Sequence, residues 1–262
     1  MIANLTHRCE ASFQKAVLLK CYAALSAAGF VRFRKGAVDW PFAGGFHCWV
    51  GLQSVLKKDH LAINPLVGVH VAPITRFCAV IERKKYSRSA MTYALDMGEL
   101  KAREPIFRFT PHSNIDAVVA RLVSLYVSVG LAYAKSIANY KSLLPLLQSR
   151  VGMLGQYPER TVACLYLMDR KDEARSFTEK FLTQNRDYFN GFAVPFKNLL
   201  DRESSAAASP PAIRARSARA SAPQQRGRDP VARMGDDFDL RNNSCRHFDE
   251  AYEWPTRSSL AV

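Results

Sequence analysis

The stretch that decides the fold starts as Gly45-Phe-His-Cys-Trp-Val-Gly-Leu-Gln-Ser-Val55. It continues with the charged break Leu56-Lys-Lys-Asp-His60 and ends as Leu61-Ala-Ile-Asn-Pro-Leu-Val-Gly-Val-His-Val71. Two runs rich in β-branched and aromatic residues around a short polar break are typical of a β-hairpin. Pro65 cannot donate a ladder hydrogen bond, so the second strand is expected to be bulged or broken there, or to lie at an edge.

Strand alternation assigns the side chains of this hairpin to two faces. The apolar face of the first strand carries Phe46, Cys48, Val50 and Leu52. The more polar face, together with a short Arg-rich strand before it, supplies the candidate binding residues, which are His47, Trp49, Gln53, Asn64, His70, Arg32 and Arg34. Trp49 is expected either to be covered by a helix or to be presented to a partner, because aromatic anchors contribute much of the energy at interfaces.

The flanking chain shows helical periodicity on both sides of the hairpin. Apolar spacings of three and four predict a helix over 13–28, closed by Gly29, and alternation predicts a strand over 30–34. Glycines and prolines indicate a loop over 35–45, so that Asp39 is expected in a solvated turn. Further elements are predicted as helices at 73–81, 114–141, 158–169, 172–184 and 189–200, and as strands at 91–95 and 106–109.

Together these elements predict an α+β fold with an antiparallel sheet of about four to six strands and packed helices. Residues 1–112 form the helix and sheet region, and 113–202 form a helical C-terminal half of the same domain. Ser113 is expected to cap the first helix of that half, and Pro145 to break or restart it. Residues 203–262 are predicted to be a disordered C-terminal tail, because 204–233 consists largely of Ala, Ser, Pro, Gln and Arg and cannot build a core.

Composition narrows the class of protein. A chain of 262 residues that is 48% hydrophobic can bury a sizeable core. It contains no unbroken run of 18 apolar residues and no basic segment followed by an apolar leader, which predicts no membrane span and a cytoplasmic location. Its six cysteines form no C-x-x-C pair, so free thiols in a reducing compartment are expected.

The chain is basic, with a formal net charge of +14. Residues 1–203 hold 28 basic and 16 acidic residues, so the excess lies in the predicted folded part. A basic surface favours nucleic acid or another acidic partner. Two stretches interleave cations with aromatic residues and support contact with nucleic acid, although no RNP, KH or helix-turn-helix signature is present. They are Arg32, Arg34 and Lys35 with Trp40 and Phe42, and Arg83, Lys84, Lys85 and Arg88 with Tyr86.

Patterns that carry catalysis are missing from the sequence. There is no HExxH and no Cys/His spacing typical of zinc, so the histidines are expected at the surface or at helix caps. There is no GxSxG, and His47 and Cys48 are neighbours on a strand, where adjacent side chains point to opposite faces. We expect no metal and no cofactor, and the sequence favours a protein that is not an enzyme.

Two short segments carry a resemblance to known proteins. Residues 29–32 (Gly-Phe-Val-Arg) and 64–70 (Asn-Pro-Leu-Val-Gly-Val-His), in the order helix, strand, Trp-containing hairpin and helix, resemble small bacterial α+β domains of unassigned function. Some of these domains lie among toxin-immunity proteins, and the resemblance covers about residues 10–110. It implies a protein that acts by binding.

The resulting hypothesis is a non-enzymatic binding protein, of the toxin-immunity or accessory kind, that acts through protein–protein contact. The alternative is a basic nucleic-acid-binding factor. Inhibitors of basic nucleases are expected to be acidic, so the partner of this basic domain should be acidic or should meet a locally neutral patch.

Overall fold

The computed structural model of the chain describes residues 10–32, 38–101, 106–153 and 155–208. These residues form an α+β fold around a six-stranded antiparallel sheet, which confirms the predicted fold class. The strands are β1 (Val31–Arg32), β2 (Val38–Pro41), β3 (Phe46–Leu56), β4 (Leu61–Val71), β5 (Tyr93–Asp96) and β6 (Phe107–Phe109). The helices are α1 (Ala11–Ala27), α2 (Ala72–Ile81), α3 (Met97–Leu100), α4 (Ile115–Leu125), α5 (Leu131–Ser136), α6 (Tyr140–Ser149), α7 (Tyr157–Leu167), α8 (Lys171–Gln184) and α9 (Arg186–Ala208).

The hairpin of β3 and β4 is the centre of the sheet, as the sequence predicts. Its ladder runs without interruption from Phe46 opposite Val71 to Leu56 opposite Leu61. The strand order is β1-β2-β3-β4-β5, and β6 also pairs with β4. β2 falls within the loop predicted over 35–45, so that prediction is wrong for residues 38–41.

Pro65 lies inside the unbroken ladder opposite Leu52, in a central strand, so the expected bulge, break or edge position is wrong. On its other side β4 pairs with β6 through residues 61–63 and with β5 through residues 66–69. Pro65 falls in the gap between these two partners. A residue that lacks an N–H is tolerated there because no second ladder requires a donor.

One face of the sheet is buried against helices, and we call it the inner face. Phe46, Cys48 and Val50 on this face are almost fully buried, as alternation predicts. The hydroxyl of Tyr126, between α4 and α5, donates to the carbonyl oxygen of Gly51 at 2.9 Å. The buried residues of the sheet and of the helical half form one hydrophobic cluster, so the core lies between them.

The predicted helix over 114–141 is divided in the structure. α4 passes through a wider π turn at Tyr126–Gly130 into α5, which ends at Ser136. Asn114 rather than Ser113 caps α4, because its side chain accepts from the backbone N–H of Ala117 at 3.1 Å. Pro145 lies within α6 and does not break it, and the new helix begins after the cap residue Asn139 instead.

The run Ile115–Ser136 is long and apolar enough to cross a membrane by length and composition alone. In the structure its residues Val119, Leu122, Leu125 and Tyr126 are buried in the domain. These residues line one side of the run, and 28% of its apolar window is buried inside the domain.

The predicted helical hairpin forms from α7 and α8, and α9 follows it. Glu203, where the tail was expected to start, lies in α9 and accepts hydrogen bonds from the Tyr166 hydroxyl and from Lys171 Nζ. Residues 203–208 are thus helical, which corrects the predicted boundary. The rest of the predicted tail, 209–262, lies outside the described residues.

Candidate functional site on the outer sheet face

We call the opposite face of the sheet the outer face. It carries most of the predicted binding residues. The β3–β4 register places His47 opposite His70, Trp49 opposite Gly68, and Gln53 opposite Asn64. Asp39 of β2 lies beside Trp49 in the same register. Alternation predicted that the β3 residues share this face, and the pairing adds the β4 and β2 residues.

A connecting segment crosses part of this face. We call residues 83–91, between α2 and β5, the strap. Arg83 adopts a left-handed conformation with φ of 54°, and Lys84 N–H donates back to the Ala79 carbonyl at 2.8 Å. This helix end turns the chain out of α2 and over the sheet.

His70 is the first anchor of the strap. Its Nδ1 lies 2.6 Å from the carbonyl oxygen of Ala90, and its Nε2 lies 3.0 Å from the hydroxyl of Tyr86. A carbonyl oxygen only accepts, so Nδ1 donates and Nε2 accepts from Tyr86. His70 is fully buried, which corrects the expectation of surface histidines, and burial lowers the pKa of its ring to about 4. The ring is therefore neutral at physiological pH.

Trp49 is the second anchor. Its Nε1 donates to the carbonyl oxygen of Ser89 at 3.0 Å. The indole lies across Gly51, where an added Cβ would come within 2.4 Å of the ring. The strap, rather than a helix, therefore accounts for the half-buried state of this tryptophan.

Asp39 is the third anchor, and its burial overturns the expectation of a solvated turn. It is 1% exposed, with Oδ2 3.0 Å from His47 Nδ1 and 3.5 Å from Arg88 Nη2 of the strap. The buried carboxylate therefore has an imidazole and a guanidinium as close polar neighbours. Burial raises the pKa of Asp39, while the charges of His47 and Arg88 oppose that rise.

The C-terminal end of the strap, where it leads into β5, is fixed by a residue of the helical half. Arg160 of α7 donates through Nη1 to the carbonyl oxygen of Thr92 at 3.1 Å. The Thr92 hydroxyl accepts from the backbone N–H of Val71 at 2.8 Å, at the end of β4. The strap is thus fastened to three strands of the sheet and fixed again where it enters β5.

The anchored strap points its charges outward. Arg83, Lys84, Lys85 and Arg88 are all exposed. Lys84 pairs with Glu82 at 3.0 Å but keeps most of its side chain in solvent. The surface of the strap is therefore a short row of cations, and the strap beneath them is fixed by buried polar side chains of the sheet.

Gln53 and Asn64 lie further along the outer face, apart from the strap anchors. Asn64 Nδ2 donates to Asp96 Oδ2 at 2.5 Å, and Asp96 Oδ1 accepts from the N–H of Gly98 at 2.7 Å. The Oδ1 atom of Asn64 is buried without a hydrogen-bond partner among the described residues. The Asn64–Asp96 hydrogen bond therefore joins β4 to the end of β5, where α3 begins.

The predicted arginines are not part of the same group. Arg32 lies opposite the buried Val38, and its guanidinium is 4.8 Å from the ring centroid of Tyr22 in α1. It therefore stands on the inner side of the sheet edge, away from the outer face. Arg34 lies outside the described residues.

The thiol and hydroxyl groups nearest this site are buried or hydrogen-bonded. Cys48 faces the core, opposite in direction to His47, and burial raises the pKa of its thiol to about 12. The strap hydroxyls of Ser87 and Ser89 bond to each other at 2.9 Å. Within the described ranges, no group of three or more His, Cys, Asp or Glu side chains could hold a metal ion.

Sequence reasoning singled out the strap cations and the outer-face residues separately and missed their connection. Asp39, Tyr86 and Ala90 complete the anchors, yet none carries a local signal of that role. The one local signal is the alternation of apolar and polar residues in Val38-Asp39-Trp40, which is compatible with a strand that carries Asp39 on its polar face.

Comparison with protein-family models, with curated proteins and with solved structures gives no match. The resemblance to bacterial α+β domains among toxin-immunity proteins therefore stays a prediction.

Proposed function

We propose that the chain is a non-enzymatic binding protein that acts through protein–protein contact, in the manner of a toxin-immunity or accessory protein. Its contact surface is the strap on the outer face. The observation that supports this is that His70, Trp49 and Asp39 hold the strap, Asp39 through Arg88, while Arg83, Lys84 and Lys85 face solvent.

Holding a recognition segment in place before binding lowers the entropic cost of association. The anchors restrain residues 86–90 from the sheet side, and Arg160 restrains the end of the segment. Charged groups on such a surface govern association rate and specificity more than affinity. The predicted binding residues Trp49, His47 and His70 then act mainly by positioning the strap.

The test is site-specific photo-cross-linking in the cells that make the protein. A photoreactive amino acid replaces Ser87, an exposed strap residue, and in a matched control it replaces Lys58, in the turn at the opposite end of the hairpin. Proteins joined at each position are compared by mass spectrometry. We expect a defined protein partner to be captured from position 87 and not from position 58.

A second comparison links that capture to the strap charges. The strap variant replaces Arg83, Lys84 and Lys85 with Gln. The charge-matched control replaces Lys57, Lys58 and Lys101 with Gln. All six side chains are exposed. The strap variant should lose the cross-linked partner, and the control should keep it. Equal capture by both variants, or identical protein profiles from positions 87 and 58, would refute the proposal.

Nucleic-acid binding is the second candidate function, favoured by four exposed cations within residues 83–88. Binding of this kind weakens steeply with salt, because it depends on counterion release from phosphates. Filter binding of the full chain to generic DNA and RNA across a salt series tests it. If no complex forms even at low salt, this candidate is rejected.

A further inference from the structure

Resting on the proposed function, we infer that the segment of the partner that meets the strap is acidic protein: a short run of Asp or Glu side chains. Three features of the strap point to carboxylates on a polypeptide. The first is the close spacing of its cations. The second is that the nearby aromatic rings already make contacts within the protein. The third is the presence of carboxylates next to the cations.

The strap offers its cations over a short length. Residues 83–88 span at most about 20 Å if fully extended, and four of these six side chains are exposed Arg or Lys. An extended acidic peptide of similar length can place a carboxylate near each of them. A guanidinium group such as that of Arg83 matches a carboxylate through two parallel hydrogen bonds.

The aromatic rings near the strap are already used. Tyr86 donates its hydroxyl to His70 and has the guanidinium of Arg76 5.2 Å from its ring centroid. Trp49 lies across Gly51 with its indole N–H bonded to Ser89. Proteins that bind single-stranded nucleic acid combine a basic groove with stacking of bases on open aromatic rings, and both rings here are engaged in fixing the strap.

Carboxylates also stand beside the strap. Glu82 pairs with Lys84, and Asp39 lies 3.5 Å from Arg88. They lower the positive field along the strap for any polyanion, and they leave the cations as separate charged groups and not as a continuous basic strip. Discrete, oriented cations suit individual carboxylates better than a continuous polyanion.

The test measures binding of defined probes to the full chain by fluorescence anisotropy. The probes are a labelled octaglutamate peptide, an octaglutamine peptide of the same length, and an octauridylate RNA. Each is titrated with wild-type protein, with the strap variant and with the charge-matched control. Thermal melting of all three proteins confirms that they are folded.

We expect octaglutamate to bind wild type, octaglutamine not to bind, and the strap variant to bind octaglutamate about tenfold more weakly, as three surface charges together allow. The charge-matched control should change affinity by less than about threefold, since its charges lie elsewhere. The RNA should bind more weakly than octaglutamate, and its binding should respond equally to both variants.

Three results would overturn the inference: no octaglutamate binding, an equal loss in both variants, or tighter strap-dependent binding of the RNA. The cross-linking comparison distinguishes this failure from failure of the proposed function. If position 87 still captures a protein in a strap-dependent way, only the acidic character of the partner is wrong. If it captures none, the proposed function fails as well.

Discussion

Acidification should loosen the strap through His70, and the size of the effect follows from the structure. The ring is buried and donates to Ala90 while it accepts from Tyr86, so the neutral form fits its surroundings. Protonation would place a second N–H against the Tyr86 hydroxyl and a charge near His47, Arg88 and Arg160, whose charges already lower its pKa. The variant that removes this titration is His70→Gln, whose amide can donate and accept without becoming charged.

The magnitude comes from linkage between protonation and folding. The pKa of His70 falls from 6.5 to about 4 on folding, mainly through burial. Because the folded pKa is the lower one, its contribution to stability is complete above pH 6.5 and is lost as the pH falls toward 4. The loss amounts to about 2 kcal/mol between pH 8 and pH 5 for this single group.

Urea unfolding of wild type and of His70→Gln at pH 5, 6, 7 and 8 measures this loss. Asp39 and Glu159, whose pKa values are raised by burial, contribute with the opposite sign. The quantity to compare is therefore the difference between the two proteins, in which those contributions largely cancel. Hydrogen exchange of the backbone amides of residues 86–90 reports whether the strap opens first.

We expect wild type to lose about 2 kcal/mol more than His70→Gln between pH 8 and pH 5, with faster exchange in the strap. Equal losses in the two proteins would refute the reasoning. So would an NMR titration that gave His70 a pKa above 6.

Three further predictions test the anchors and the core. Trp49→Phe keeps a ring over Gly51 but loses the hydrogen bond to Ser89, so urea unfolding should show a loss of about 0.5–1.5 kcal/mol; no loss would mean that this bond does not hold the strap. Gly68→Ala places a Cβ 1.9 Å from the Tyr93 carbonyl oxygen and should cost about 3 kcal/mol or more, whereas Gly152→Ala, with nothing within 4 Å, should stay within about 0.5 kcal/mol; equal stability of the two variants would contradict the tight β4–β5 pairing. In a chain with Cys9→Ser and Cys245→Ser, the remaining thiols should resist Ellman's reagent at pH 8 until the protein is denatured, because burial raises the pKa of each to about 12; rapid native labelling would contradict their burial. Those thiols belong to Cys21, Cys48, Cys78 and Cys164.

The hairpin, its faces and most helices follow from the sequence because their signals are local. A period of two in residues 46–56 places Phe46, Cys48 and Val50 on one side and His47 and Trp49 on the other, and the ladder obeys that pattern. The positive φ of Gly29 at the end of α1 is another local signal that the structure confirms. Such features depend on side-chain periodicity and backbone conformation over a few residues.

Only the tertiary structure decides the site. Trp49 and Ser89 are 40 residues apart, and the atoms of the strap that accept from Trp49 and His70 are main-chain carbonyl oxygens, which every residue carries. No pattern in the sequence can indicate which carbonyl a side chain will reach. The burial of Asp39 and the gap that accommodates Pro65 likewise arise from how distant segments pack, because each depends on neighbours that the local sequence does not specify.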